Sequence, residues 1–241
     1  MGSGPGVLRA QGWRKAPGQV LVAINNAWRV REDWDYLIHP EDFPADRHPE
    51  TLLPAQRIIT AREFVPAQNT LGGFVYGGGT MAFTAAYWAL AALRPRVIAM
   101  IGCDMVYPAT GRTHFYGKGE ADPLRNDITL RLLEAKSARL MVLAAAQGCA
   151  MVNLSEAGES RLVYPRARRC DLSTLHPLRF NPHRIDAALH AEAQAGYTVP
   201  SGRYWEVAAR FDPAVIDRID TLWLAASETE RPEKQVLGVG A

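Results

Sequence analysis

Gly77-Gly78-Gly79-Thr80, the run Met81-Ala-Phe-Thr-Ala-Ala-Tyr-Trp-Ala-Leu-Ala-Ala-Leu93, the break Arg94-Pro95, the run Arg96-Val-Ile-Ala-Met-Ile101 and the stop Gly102-Cys103-Asp104 follow one another without a gap. The Ala-rich middle piece is apolar all round, which predicts a helix buried against a sheet. Arg94-Pro95 ends it, and the β-branched run that follows at once predicts a strand, so the whole stretch is a compact helix-to-strand unit.

Outward from it, Gln19 to Ile24 is a short, nearly continuous apolar run, the pattern of a strand covered on both faces in a parallel sheet, and it ends at Asn25-Asn26. Asp35 to His39, stopped by Pro40, and Arg57 to Thr60 read as further strands, with a loop rich in Pro, Asp and His from Pro40 to Pro54 between them. On the other side, Asn126-Asp127 caps a helix running to about Gln147, Gly148 ends it, and Ala150 to Leu154 makes another strand. Strand, helix, strand repeated in this order predicts right-handed parallel crossovers, hence a Rossmann-like α/β fold with a mostly parallel sheet flanked by helices.

Residues 1–169 make the Rossmann-like nucleotide-binding domain on this reading. In 170–241, Pro182 to Ala195 and Pro213 to Ser227 read as two helices of an accessory or lid segment. A chain of 241 residues with 48% hydrophobic content builds one substantial core. Lys and Arg number 27 against 25 Asp and Glu, a net charge of +2, which argues against a nucleic-acid partner. Cys103, Cys149 and Cys170 have neither zinc-site spacing nor the even count of a disulfide framework, which fits a reducing compartment. No apolar stretch is long enough for a membrane span and no basic-then-apolar leader opens the chain, so a cytoplasmic protein is expected. A homo-oligomer is compatible with the sequence.

In open parallel sheets, ligands collect outside the carboxyl ends of the strands, where unpaired backbone N–H groups converge. Asn25-Asn26, Gly77 to Thr80, Gly102 to Asp104, and Asn153 with Ser155 stand at such ends. The triple glycine brings backbone amides close to a carboxylate or phosphate on one reading and makes a tight turn on the other. Asp104 accepts hydrogen bonds from sugar hydroxyls or caps a turn. The long loop from residue 103 to 124 collects Tyr107, His114, Tyr116 and Lys118: an acid/base group, two phenols and a cation suited to a departing phosphate. His39, His48 and His183 lack metal-ligand spacing, so no metal site is expected. Arg166, Arg168 and Arg169 crowd together as a solvated loop or as a phosphate contact.

Gly2-Ser-Gly-Pro-Gly6 has the look of the glycine turn that follows the first strand of a nucleotide-binding fold, although no strand precedes it. Either that strand lies upstream of Met1, or residues 2–6 are a flexible leader. With this turn, Asn25-Asn26, Gly78-Gly79, Gly102-Cys103-Asp104, His114-Phe-Tyr-Gly117 and the strand ending near Ser155, residues 2 to 165 resemble the bacterial Rossmann-like sialyltransferases that use a CMP-sugar. More distantly they resemble the pterin diphosphokinase-like proteins. The resemblance implies that Gly4, Asn25, Asn26, Gly78, Gly79, Thr80, Gly102, Asp104 and Ser155 surround a CMP-linked or UDP-linked sugar without a required cofactor or metal. It implies inverting sugar transfer, in which a base deprotonates the acceptor while a phosphate departs.

Two departures matter. The family pattern is similar to His-Tyr-X-Gly-His with the last His as base, whereas this chain has Lys118 there, protonated near neutral pH, which passes the role to His114. The cation expected before the glycine helix start is replaced by Val75-Tyr76. A nucleotide-dependent, glycosyltransferase-like enzyme is thus the leading expectation. A nonenzymatic nucleotide-binding or scaffold protein is the second and a metal-dependent diphosphokinase-like enzyme the third; for the latter Asp104 shows no acidic partner in the sequence.

Overall fold

A computed structural model describes residues 1–107, 111–118 and 125–229. It is an α/β structure with two short parallel sheets. β1 (Val22–Ile24), β2 (Tyr36–Ile38) and β3 (Arg57–Ile59) form one, in the order β1-β2-β3, and β4 (Val97–Met100) pairs with β5 (Ala150–Asn153) in the other. Each strand falls inside an apolar run of the sequence and is shorter than it.

The N-terminus fills the space between the sheets. Met1 donates its ammonium to the Val22 carbonyl at 2.8 Å and accepts from Ile24 N–H at 3.0 Å, the alternation of a parallel ladder. Gly2 then donates to the Ile101 carbonyl at 2.8 Å, just past β4. Gly2 and Gly4 are therefore bonded just past the end of β4, and Pro5-Gly6 open a 3₁₀ turn, so residues 2–6 are not free as a leader would be.

Side chains alternate across the sheets with period two. Ile24, Ile38, Ile59, Met100 and Met151 point into the larger cluster with α1 (Ala61–Asn69), α3 (Met81–Leu93) and α4 (Leu133–Ala146). Ala23 and Leu37 on one sheet and Val152 on the other face two smaller clusters, where the 3₁₀ segments Pro5–Gly12 and Asn25–Val30 supply Val7, Ala10, Ala27 and Val30. The sheet is thus a middle layer, with α-helices on one side and 3₁₀ turns on the other.

α3 occupies the predicted span, capped by Thr80 and closed by Arg94 in the left-handed conformation. The helix expected from Asn126-Asp127 is divided: Asp127 caps a 3₁₀ turn, Ile128–Leu130, and α4 begins only at Leu133. α1 and α2 (Gly73–Gly77) were not expected from the sequence. α1 carried a legible start signal, for Thr60 and Glu63 form a reciprocal capping box.

α5 (Pro182–Ala195) and α6 (Pro213–Ala226) match the two C-terminal helices read from the sequence. Trp223, Ile216 and Ala188 join the same core cluster as α3 and α4. Two buried ion pairs tie these helices together: Lys136 with Asp220 at 2.8 Å, and Arg139 with Glu192 at 2.6 Å. Burial pushes the Lys136 ammonium down and the Asp220 carboxyl up, while Arg139, desolvated too, is held charged by Glu192. The part of the C-terminal segment from residue 230 onward lies outside the described residues. No helix among the described residues is long and apolar enough to cross a membrane.

Candidate functional site

The chain enters at Met1, between the sheets, builds β1, β2 and β3 outward on one side and returns to build β4 and β5 on the other. The seam between Met1-Gly2 and the end of β4 is therefore where the outward build of one sheet gives way to that of the other. Two glycine turns meet there. Gly4 donates to the Gly102 carbonyl at 2.8 Å. A Cβ on Gly2 would strike that same carbonyl oxygen and come within 2.6 Å of Cys103 Sγ, and Gly102, at φ +68°, faces Val7 so closely that its own Cβ would lie 2.8 Å away. The interlock of these turns is what requires glycine. Burial pushes the Met1 ammonium down and the Cys103 thiol up, and Cys103 is packed inside the interlock at 4% exposure.

Out of this interlock projects Ser3, which sequence reading missed as a site residue. Its Oγ lies 2.8 Å from His114 Nδ1, and its carbonyl accepts from Phe115 N–H at 2.9 Å. His114 and Gly117 exchange both backbone hydrogen bonds, at 3.0 and 3.1 Å, so residues 114–117 form a tight turn fastened to Ser3. His114 is 7% exposed; its ring is stacked on Tyr116 with centroids 5.0 Å apart, and Tyr107 stands at 6.0 Å. The structure thus gathers two of the other three candidate catalytic residues, Tyr107 and Tyr116, around the His114 imidazole. Lys118 follows the turn in an exposed position. The remainder of the predicted loop, 108–110 and 119–124, lies outside the described residues.

Beside this group, Asp104 accepts from Asn153 Nδ2 at 3.0 Å, and Arg166 stands 3.8 Å from it. Asn153 also reaches Ser160 Oγ at 3.1 Å, while its own Oδ1 accepts from Ser155 N–H at 2.9 Å. Ser155 Oγ accepts from Ala157 N–H at 3.1 Å, and a Cβ on Gly6 would lie 4.0 Å from it, which puts the glycine turn next to the end of β5. Asn25, at φ +50°, and Asn26 follow β1; the Oδ1 of each is buried with no hydrogen-bond partner among the described residues. Buried amide oxygens usually have a donor, so these two stand out among the described residues.

The Gly77–Thr80 loop belongs to a different set of contacts. Gly78 N–H is taken by the Phe74 carbonyl at 2.9 Å, Gly79 N–H by Thr129 Oγ1 at 3.1 Å, and the Thr80 hydroxyl caps Phe83 N–H. A Cβ at Gly78 would meet Phe83 at 2.8 Å, and one at Gly79 would meet Thr129 Oγ1 at 2.6 Å. These glycines let side chains pack against the backbone, and the amides of Gly78 and Gly79 are already committed. Over the loop, Tyr204 donates to Asp127 Oδ2 at 2.8 Å and accepts from Arg125 at 3.0 Å, while Asp127 Oδ1 accepts from Thr129. Burial raises the Tyr204 phenol. Burial would raise Asp127 too, but the hydrogen bonds from Thr129, Tyr204 and Arg125 prevail and hold it below the usual carboxylate range. Tyr204 comes from the C-terminal segment, and no local signal marks its role.

At the end of β2, the His39 and His48 rings lie 4.5 Å apart. Among the described residues no group of three or more His, Cys, Asp or Glu is arranged to hold a metal ion.

Comparison with known proteins adds no relative: no protein-family model matches the chain, and no curated protein or solved structure is significantly similar to it.

Proposed function

We propose that the chain is a nucleotide-dependent transferase of the glycosyltransferase type, with a Rossmann-like sheet and His114 as its base. The observation that carries this reading is the 2.8 Å contact between Ser3 Oγ and His114 Nδ1 at the seam between the sheets, where ligands of open α/β sheets bind. With Nδ1–H donating to Ser3 Oγ, the neutral imidazole carries its lone pair on Nε2, the tautomer a general base needs. In the step proposed, His114 Nε2 takes the proton of an acceptor hydroxyl, the acceptor oxygen bonds to the anomeric carbon, and the sugar–phosphate bond breaks with its electron pair leaving on the nucleotide phosphate. Tyr107, Tyr116 and Lys118 assist the leaving phosphate. Asn25, Asn26, Asp104, Ser155 and the Gly2–Gly4 and Gly102 turns surround a CMP-linked or UDP-linked nucleotide, and the two amide oxygens that lack a donor among the described residues support a polar lining there.

A second reading, a nucleotide-binding scaffold without turnover, draws support from the internally bonded amides of Gly78 and Gly79. A diphosphokinase-like enzyme is the third, less supported because Asp104 is paired with Asn153 and Arg166 and not with a second carboxylate.

The test is a thermal-shift screen with CMP, UDP, GDP and ATP, each with and without magnesium, followed by donor hydrolysis or transfer with His114→Ala. The transferase reading expects magnesium-independent stabilisation by CMP or UDP, with turnover lost and nucleotide binding kept in the variant. Stabilisation by nucleotide with no turnover in the parent protein would favour the scaffold. Stabilisation by ATP only with magnesium would favour the kinase-like enzyme.

A further inference from the structure

The arginines that crowd together in the sequence take no part in the scheme above, yet they line a pocket. It has a volume of about 410 Å³ and lies between the 3₁₀ segment Pro5–Gly12 and residues 166–171, with Leu154 and Ser155 in its lining. Arg9, Arg166, Arg168 and Arg169 face it, with Trp13 as its aromatic wall and Glu156 and Asp171 as its acidic groups.

The four cations differ in how they are held. Arg9 pairs with Glu156, and Arg168 grips both oxygens of Asp171 at 3.0 and 3.1 Å. These two pairs consume the two carboxylates. Arg166 is held mainly by carbonyl oxygens, Ser155 O at 2.6 Å and Ala157 O at 3.0 Å, with Asp104 at 3.8 Å. Arg169 is held by the Arg14 carbonyl and by the Trp13 ring, its guanidinium carbon 5.9 Å from the ring centroid. Arg9 stands over the same ring, also at 5.9 Å. Carbonyls and an aromatic wall orient a guanidinium without neutralising it, so Arg169 offers pre-positioned charge, and Arg166, held by two carbonyls with its one carboxylate 3.8 Å away, is only partly neutralised. A fork of N–H donors held in that way suits the oxygens of a phosphate.

We propose that this pocket is an anion subsite adjoining the nucleotide's, with Ser155 on their common border, that takes a phosphate group of its own, with Arg166 and Arg169 as its principal ligands. Assigning that phosphate to the acceptor rests on the transferase reading; the subsite itself does not.

Isothermal titration of the whole chain with inorganic pyrophosphate tests it, alone and in the presence of saturating CMP. Expected are binding that weakens as salt is raised, a loss of about tenfold or more in affinity in Arg166→Gln/Arg169→Gln, a smaller loss in Arg169→Lys, which keeps the charge but not the fork, and no competition from CMP. The ligand-free melting temperature of each variant and the CMP affinity of Arg169→Lys serve as folding controls. Absence of binding, equal affinity in the folded double variant, or displacement of pyrophosphate by CMP would each overturn the proposal, the last by assigning the anion to the nucleotide's own site. Arginine-dependent pyrophosphate binding in a protein that ignores every nucleotide would leave the subsite standing and remove the transferase reading.

Discussion

Replacing Arg139 by methionine removes a guanidinium that makes four hydrogen bonds: to Glu192 at 2.6 and 2.8 Å, to Tyr87 Oη at 2.7 Å and to the Leu71 carbonyl at 2.7 Å. Arg139 is 1% exposed and Glu192 6%. Methionine fills much of the stem volume and supplies no donor, so Glu192 is left with Trp223 Nε1–H, at 2.6 Å, as its remaining side-chain donor of those described. Stranding one partner of a buried pair costs about 3–5 kcal/mol. For a chain of this size each kcal/mol lowers the melting temperature by about 2–4 °C, so the variant should melt roughly 6–20 °C lower. The assay is chemical denaturation followed by circular dichroism, with thermal melts alongside. Arg139→Met/Glu192→Met removes the stranded charge as well and should be more stable than Arg139→Met alone. A loss under about 1 kcal/mol in the single variant would refute the argument that this pair fastens α5 to α4, as would a double variant whose loss equals the sum of the two single losses.

On the transferase reading, Ser3→Ala should reduce kcat/KM about fivefold, the worth of one hydrogen bond of about 1 kcal/mol, and shift the acidic limb of its pH profile; an unchanged profile would remove Ser3 as a positioning residue for His114. Gly2→Ala drives a Cβ into the Gly102 carbonyl and should cost about 1–3 kcal/mol or more in denaturant midpoint; a neutral result would mean that the interlock of the two glycine turns yields easily. Asp127 titrates below its unfolded value, so it stabilises the fold above about pH 4, and that contribution is lost as pH falls through its native pKa. Asp127→Asn should therefore lower stability at neutral pH and flatten its decline in acid, measured as denaturant midpoint against pH; a parallel decline in both proteins would refute the assignment.

The runs from Gln19 to Ile24 and from Arg96 to Ile101, the Ala-rich α3 and the two C-terminal helices were legible in the sequence because each is marked by its own neighbours: an unbroken apolar run, a cap, a breaker. The α/β class and most of the strands follow from that local grammar, although every strand is shorter than its run. The glycines of 77–79 were legible as a turn, but whether their amides face a ligand or Thr129 and Phe74 was not, since Thr129 approaches from 50 residues away. The same holds for Ser3 and His114, which are 111 residues apart and meet because Met1-Gly2 lies between the sheets and fastens the N-terminal turn to the end of β4. Arg166 and Arg169 read as a charged loop until Trp13 and the carbonyls of Ser155 and Arg14 are seen to hold them. Periodicity, caps and breakers act over a few residues and are written in order along the chain; hydrogen bonds and ion pairs that cross the core depend on which strands become neighbours, and only the assembled sheet decides that.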